Sequence, residues 1–492
     1  MKIRNIFNIL AASLVAVTMA SCDDWLDYTP KDKTTAEQQF STRDGFYSAV
    51  NGVYTNLTTS SLYGNSLTYG AIDLMGKRYE SGSSTTETKY LWANFKFTDS
   101  GIQSSTNSTW QAAYQDILNI NVILRNVDQQ QGVLNDLDRN LIRGDMLGLR
   151  AYLHFDMLRL FGPTYSRDSA SAAIPYADVP EAKAYELESS HDIVYNHLLP
   201  DLDEAEKCLK DYDPVTKVGV ADTNNTNGDN YRNYRQLRMN YYAVILLKAR
   251  IYLWANNTDK ALAEARKITD SEQVRKFFPF INADKLLGNV LNPDRSFSSE
   301  VLFGIYNASR DQVYTNTFDG FNINGKDVLQ PRAGFIDALF TNQGDYRLQS
   351  QWAKNGSYYS FVKYKGIEYN NQNVPLYALL MPLMRISEAY YIAAECLAGK
   401  GDLTGAVGYL NTILNARGAS PLEAGSNAQT ISQEIIKEYQ REFWGEGQVF
   451  YMFKRNYMTI NAENNADNTS TVYAGYTTNY ILPLPSSEQE NR

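Results

Sequence analysis

"LMRISEAYYIAAECLAGKGDLTGAVGYLNTILNARG", residues 383–418, carries two helical periods around a turn. Tyr390, Ala394 and Leu397 stand four and three apart; GKGD follows; Ala406, Leu410 and Ile413 then repeat the spacing. That is the pattern of two amphipathic helices folded back on each other. A second stretch, "YYAVILLKARIYLWANNTDKALAEARKITD" at 241–270, sets Ile245, Ala249, Tyr252, Ala261, Ala265 and Ile268 at the same relative positions, with NNTD as the turn. Small residues let paired helices approach closely, and large ones fill the gaps.

This spacing is that of a tetratricopeptide helix pair. One pair cannot bury its own face, so other helices must pack beside it, and the segments at 112–160 and 191–210 are the candidates. Other segments agree: Phe46, Val50, Val53 and Leu57 share one face, as do Tyr114, Ile117, Leu118, Val122 and Leu124. "RNLIRGDMLGLRAYLHFDMLRLFGP" stops at Gly162 and Pro163, a termination signal. The expected fold is mainly α: tetratricopeptide-like helix pairs in a superhelical scaffold, with a few short strands. Long irregular stretches at 58–108, 165–190, 211–233 and 271–380 interrupt the helices. Loops of that length are seldom inert, so the ligand site is expected on them.

The chain of 492 residues is 43% hydrophobic with a formal net charge of -9 and no run of five basic residues. A nucleic-acid binder needs clustered Lys and Arg to neutralise phosphates, so that class is excluded. Three His and three Cys (Cys22, Cys208, Cys396) against 36 Tyr make a Cys/His zinc site improbable, and no metal or cofactor is expected. Lys2 and Arg4, an apolar run at 6–20 and the small residues Ala20 and Ser21 read as a secretion signal. The apolar run is shorter than the roughly 20 residues of a membrane span. A small pair directly before Cys22 resembles the lipobox of bacterial lipoproteins, although Met19 departs from the usual Leu. Residues 1–21 are then the signal peptide, Cys22 the lipidated residue and 22–42 a polar tether; ordinary cleavage after Ala20 is the alternative. Cys208 and Cys396 need no disulfide, each lying in an apolar helical context.

Together with "CDDWLDYTP" after the apolar run and "YILPLPSSEQENR" at the end, three segments carry a resemblance. "WQAAYQDILNINVIL" from Trp110 looks like W-x-x-x-Y-x-x-I-x-x-x-N. "LRAYLHFDMLRLFGP" looks like R-A-Y-x-Y-F-x-L-x-x-x-[FY]-G-x-[VP]. "LMRISEAYYIAAECL", through Arg385, Glu388, Ala389, Tyr390, Ala394 and Glu395, looks like R-x-x-E-A-Y-L-x-x-A-E. In order and spacing they resemble the SusD/RagB family of Bacteroidetes outer-membrane lipoproteins over nearly the whole chain. A fourth block, "REFWGEGQVFYMFKR", matches the family through Arg441, Glu442, Glu446, Gly447, Lys454 and Arg455. It departs at Val449 and Met452, where Arg and Asp are usual.

The resemblance implies a single domain over 43–492 on the cell surface. It would bind an oligosaccharide or polysaccharide and deliver it to a SusC-like TonB-dependent transporter, with no catalysis. Sugars lay apolar faces on flat rings and need amide, carboxylate or guanidinium partners for their hydroxyls. In "TKYLWANFKF" the alternation places Leu91, Ala93, Phe95 and Phe97 on a core face and Tyr90, Trp92 and Asn94 on an open one. Arg78 is the guanidinium implied upstream. The second wall is expected from 301–325, through Tyr306, Asn307, Tyr314, Phe318 and Phe321 with Arg310 and Asp319, and Trp352 is a further candidate. Trp110, Trp254 and Trp444 are expected in the core. No carboxylate pair stands in a recognisable glycosidase block, and P-loop and dinucleotide glycine patterns are absent. The remaining rival is a tetratricopeptide-type surface lipoprotein that binds protein or peptide on its concave side.

Overall fold

The computed structural model describes residues 36–488 apart from 82–83, 182, 221–229, 289–290, 322–327, 370–373, 465–468, 474–479 and 487. The signal segment, Cys22 and Trp25 lie outside the described residues. The last part of the expected tether forms a short helix, Ala36–Gln39.

The scaffold is helical. In chain order its helices are α1 (Arg43–Asn56), α2 (Thr88–Ala93), α3 (Ser100–Gln129), α4 (Asp136–Phe161), α5 (Leu199–Tyr212), α6 (Tyr241–Trp254) and α7 (Thr258–Thr269). There follow α8 (Ile386–Gly399), α9 (Leu403–Ala416), α10 (Ala428–Glu442) and α11 (Val449–Arg455), with shorter helical turns between them. The two repeats seen in the sequence are α6–α7 and α8–α9. Their turns are equivalent in detail: Asn256 and Gly401 both adopt the left-handed conformation (φ 58° and 83°). The next residue caps the second helix of each pair. Asn257 accepts from the Lys260 amide at 3.2 Å and Asp402 from the Gly405 amide at 2.9 Å.

The pairs stack through α7 on α8, and α10 closes on α8 and α9. On the other side α5 packs on α6 and α4 on α5, so the 112–160 and 191–210 helices do extend the scaffold. Every residue of α6 from Tyr242 to Trp254 is buried. A helix buried on every side belongs inside a layer, and the two cations of α6, Lys248 and Arg250, are held in ion pairs there. The close approach of α4 to α5 depends on Gly144, where an added Cβ would stand 2.5 Å from Leu209 Cγ. One connected core of apolar side chains runs from Phe40 to Leu482.

Two of the expected irregular stretches hold more regular structure than the sequence implied. Residues 58–108 include a helix at Ala71–Met75, α2 and the start of α3. Residues 271–380 contain the strand Val301–Tyr306, which pairs antiparallel with Leu380–Arg385 at their end, and a hairpin of Trp352–Asn355 with Tyr358–Phe361.

The acids and arginines of the C-terminal block prove structural. Arg385 pairs with Glu442 and Glu446; Arg417 reaches Glu300 (2.6 Å) and Glu442; Arg347 reaches Asp345 (2.7 Å), Glu438 (2.9 Å) and Glu442 (2.9 Å). All of these side chains are buried. Charges taken out of water need such partners, and here each guanidinium meets at least two carboxylates. Glu388 holds Arg250 bidentately at 2.7 and 2.6 Å, tying α8 to α6. Val449 and Met452 are buried apolar residues on α11.

Candidate functional site

The structure scatters the nominated residues. Residues 88–93 are helix, not the strand the alternation implied, so Tyr90, Trp92 and Asn94 do not form an open face. Both faces of this segment are covered: Trp92 is 5% exposed and packs edge-on against Phe97 at 6.3 Å. Asn94 turns back on the helix, its Nδ2 donating to the Tyr90 carbonyl at 2.9 Å, and Phe95 leaves the helix at a left-handed φ of 55°. Arg78 is buried too. Its guanidinium donates to the Gly76 carbonyl and to Gln440 Oε1 (2.7 Å) and lies 5.0 Å from the rings of Phe335 and Trp444.

Phe318 and Trp352 belong to one aromatic cluster. Phe318 meets Tyr69 and Phe361 at 5.3 Å each, and Trp352 meets Trp444 edge-on at 4.7 Å. Tyr314 is buried beside them in sequence, in the helical turn Tyr314–Phe318. Asn307 is buried and occupied: its amide donates to the Leu379 carbonyl at 2.8 Å, its Oδ1 accepts from the Ser309 amide, and its Nδ2 faces Met381 Sδ. Trp110, Trp254 and Trp444 are core residues, as expected.

Tyr306 and Phe321 differ from the rest: Phe321 is 50% exposed, and Tyr306 closes the ladder. Tyr306 ends its strand opposite Leu380 and is 46% exposed. Tyr369, 40% exposed, lies near it, and burial together with this neighbour raises the Tyr306 hydroxyl above the usual phenol range. Both rings have open surface, and the Tyr306 hydroxyl stays protonated and able to donate.

The ground under them is braced by Arg310. Its guanidinium donates to the carbonyls of Tyr377 and Lys363, joining three segments that are distant in the chain. Asp311 Oδ1 accepts from the Gly366 amide at 2.9 Å, and Asn292 Oδ1 from the Glu368 amide at 2.8 Å. Tyr377 donates to the Asn292 carbonyl at 3.4 Å. Among the described residues no carboxylate forms an ion pair with Arg310, and burial pushes its pKa down to about 10. The result is a fixed surface with two phenol rings, an exposed Glu368 and an exposed Asp311. Such a surface offers stacking faces and acceptors for hydroxyls. Sequence reasoning found Tyr306 and Arg310 but passed over Tyr369, whose only signal was the aromatic density of "NGSYYSFVKYKGIEYNNQNV".

Elsewhere a cleft of about 700 Å³ runs beside α3, lined by Trp110, Tyr114 and Leu118 at successive turns and by Val179, Tyr185 and Glu186 opposite. Tyr114 is committed there to the Pro175 carbonyl at 2.8 Å and Tyr185 to the Val179 carbonyl at 3.3 Å.

Stacked tetratricopeptide-like pairs with long aromatic-rich connections define a helical-repeat scaffold protein. Within that class the chain belongs to the SusD family: the model described as "SusD family" matches residues 317–490, and one described as "Starch-binding associating with outer membrane" matches 24–218. SusD-like protein P2 of Formosa agariphila is 26% identical over 40% of this chain and 37% of that protein. SusD-like protein P25 of the same organism is 22% identical over 62% of this chain and 52% of that protein. The chain thus spans about half or less of the length of these curated relatives. Among solved structures, a putative sugar binding protein from Bacteroides vulgatus superposes with a TM-score of 0.71 at 24% identity, covering 91% of this chain and 96% of that one. Surface glycan-binding protein A from Bacteroides thetaiotaomicron gives 0.65 at 17% identity, covering 92% and 98%. At these identities the likeness is one of fold.

Proposed function

We propose that this protein is a cell-surface glycan-binding lipoprotein, anchored in the outer membrane through Cys22. It captures an oligosaccharide or polysaccharide and passes it to a SusC-like TonB-dependent transporter, without chemistry of its own. The observation that carries the reading is the open pair Tyr306 and Tyr369 on a floor braced by Arg310. Supporting it are the family and the sugar- and glycan-binding descriptions of the two structural neighbours. The site proposed here replaces Trp92 with Tyr369 as partner of the 301–325 wall, because a ring buried on both sides offers no stacking face.

Affinity electrophoresis through a panel of polysaccharides tests it. At least one glycan should retard the protein, Tyr306→Ala and Tyr369→Ala should each lose most of that retardation, and no reducing ends should appear. Release of reducing ends would make the protein an enzyme. Indifference to every glycan, with peptide captured along the α3 cleft, would favour the tetratricopeptide-type peptide binder, for which that cleft is the specific observation.

A further inference from the structure

Where α6, α8, α10 and α11 meet, a small cavity of about 30 Å³ is lined by Arg159, Arg250, Trp254, Glu388, Tyr451 and Met452, among others. Three hydrogen-bond donors on its walls have no acceptor among the described residues: Arg250 Nη1, Trp254 Nε1 and the Tyr451 hydroxyl. All three residues are more than nine-tenths buried. Arg250 and Trp254 stand one helical turn apart on α6, so both project onto the same side. A buried donor left unmade costs about 1–3 kcal/mol, and three beside one cavity call for an occupant.

The carboxylate and amide acceptors on the walls each already take a guanidinium. Both Glu388 oxygens take Arg250 at 2.7 and 2.6 Å, and Gln448 Oε1 takes Arg159 at 3.0 Å. A water molecule needs acceptors for its own hydrogens as well as donors to its oxygen, and the unpaired groups of this cavity are donors. Its size suits one small sphere, since about 10–15 Å³ of such space holds a water.

The surrounding charge points the same way. Arg159, Arg250 and Arg455 are matched by Asp156, Glu388 and Glu395. Among the described residues no carboxylate pairs with Lys454. Its Nζ donates to the carbonyls of Arg159 (2.6 Å), Leu160 (3.3 Å) and Gly162 (2.8 Å), and sits 6.0 Å from the Trp254 ring. The ring of carbonyl acceptors favours the ammonium form, while burial pulls the Lys454 pKa well below the usual range. Three guanidiniums on the walls, with Lys454 behind Trp254, thus surround a pocket of donors.

We propose that this cavity is a binding site for one halide-sized monovalent anion, chloride under ordinary conditions, held by Arg250 Nη1, Trp254 Nε1 and the Tyr451 hydroxyl. The ion locks α6 to α11 and leaves the glycan face untouched. Crystals of the mature chain grown with sodium bromide in place of chloride provide the test. An anomalous bromide peak within hydrogen-bond distance of the three donors is expected, with a melting temperature about 2 °C higher in bromide than in gluconate at equal ionic strength. Met452→Asp puts a carboxylate into the cavity and should remove both the peak and the salt difference. Because an acid added to a core can stop folding, Tyr451→Phe serves as second variant and should lower the peak by deleting one donor. A water-like density without anomalous signal, or a bromide peak of full height in Tyr451→Phe, would overturn the assignment.

Discussion

Replacing Glu442 with glutamine deletes one negative charge from the most densely charged part of the interior. Its carboxylate accepts from Arg347 Nη1 (2.9 Å), from Arg417 Nε (3.1 Å) and Nη2 (2.5 Å), and from Arg385 Nη1. Burial alone would raise its pKa, but the Arg417 and Arg385 guanidiniums outweigh burial and hold the carboxyl well below the ordinary value of 4.5. Glutamine keeps one acceptor and turns an amide N–H toward guanidinium donors, leaving an unbalanced positive charge out of water. Breaking a buried ion pair costs about 3–5 kcal/mol, a large share of a typical total of about 5–15 kcal/mol. Equilibrium urea unfolding of wild type and Glu442→Gln at pH 7 measures the loss. A carboxyl with depressed pKa stabilises fully above its unfolded value and loses that contribution as pH falls through the folded one. The gap between the two proteins should therefore persist at neutral pH and narrow only in acid below about 4.5. A loss under about 1 kcal/mol would mean that water reaches these groups and that the network does not hold the C-terminal helices.

Two further outcomes follow from single contacts. His154 is buried, accepts from the Ala177 amide through Nε2 at 3.0 Å and stacks on Tyr176 at 4.0 Å; burial pulls its pKa down to about 3. Its imidazole signal should stay that of the neutral ring in an NMR titration from pH 8 to 4.5, and a midpoint near 6.5 would contradict the packing. Gly144→Ala should destabilise the fold by about 1–3 kcal/mol in thermal or urea unfolding, because its Cβ meets Leu209 Cγ at 2.5 Å. In a Leu209→Ala background the cost of Gly144→Ala should shrink if the clash is its cause.

The helix pairs were legible because their signals are local. Spacing of four and three, a left-handed turn residue and an Asn or Asp cap fall within thirty residues, as at 241–270 and 386–416. The surroundings of Trp92 were not legible. Eight alternating residues read as a half-open strand, yet here α2 buries Tyr90, Trp92 and Ala93 together, because neighbouring segments cover both sides. Period alone cannot report what lies across a loop. The charge network was invisible for the same reason: Arg417 and Glu300 stand 117 positions apart, Arg347 and Glu442 95. Tyr306 was found through aromatic density, but the same density also flagged Phe318 and Tyr314, which pin the loop from inside. Exposure separates these rings, and exposure is set by tertiary packing.

The most direct measurement is a crystal structure of the protein with an oligosaccharide of whichever glycan retards it in electrophoresis. Sugar density is expected across the Tyr306 and Tyr369 rings, with hydroxyls near Glu368 or Asp311. Density in the cleft beside α3, with Tyr306 and Tyr369 bare, would contradict the assignment of the binding face.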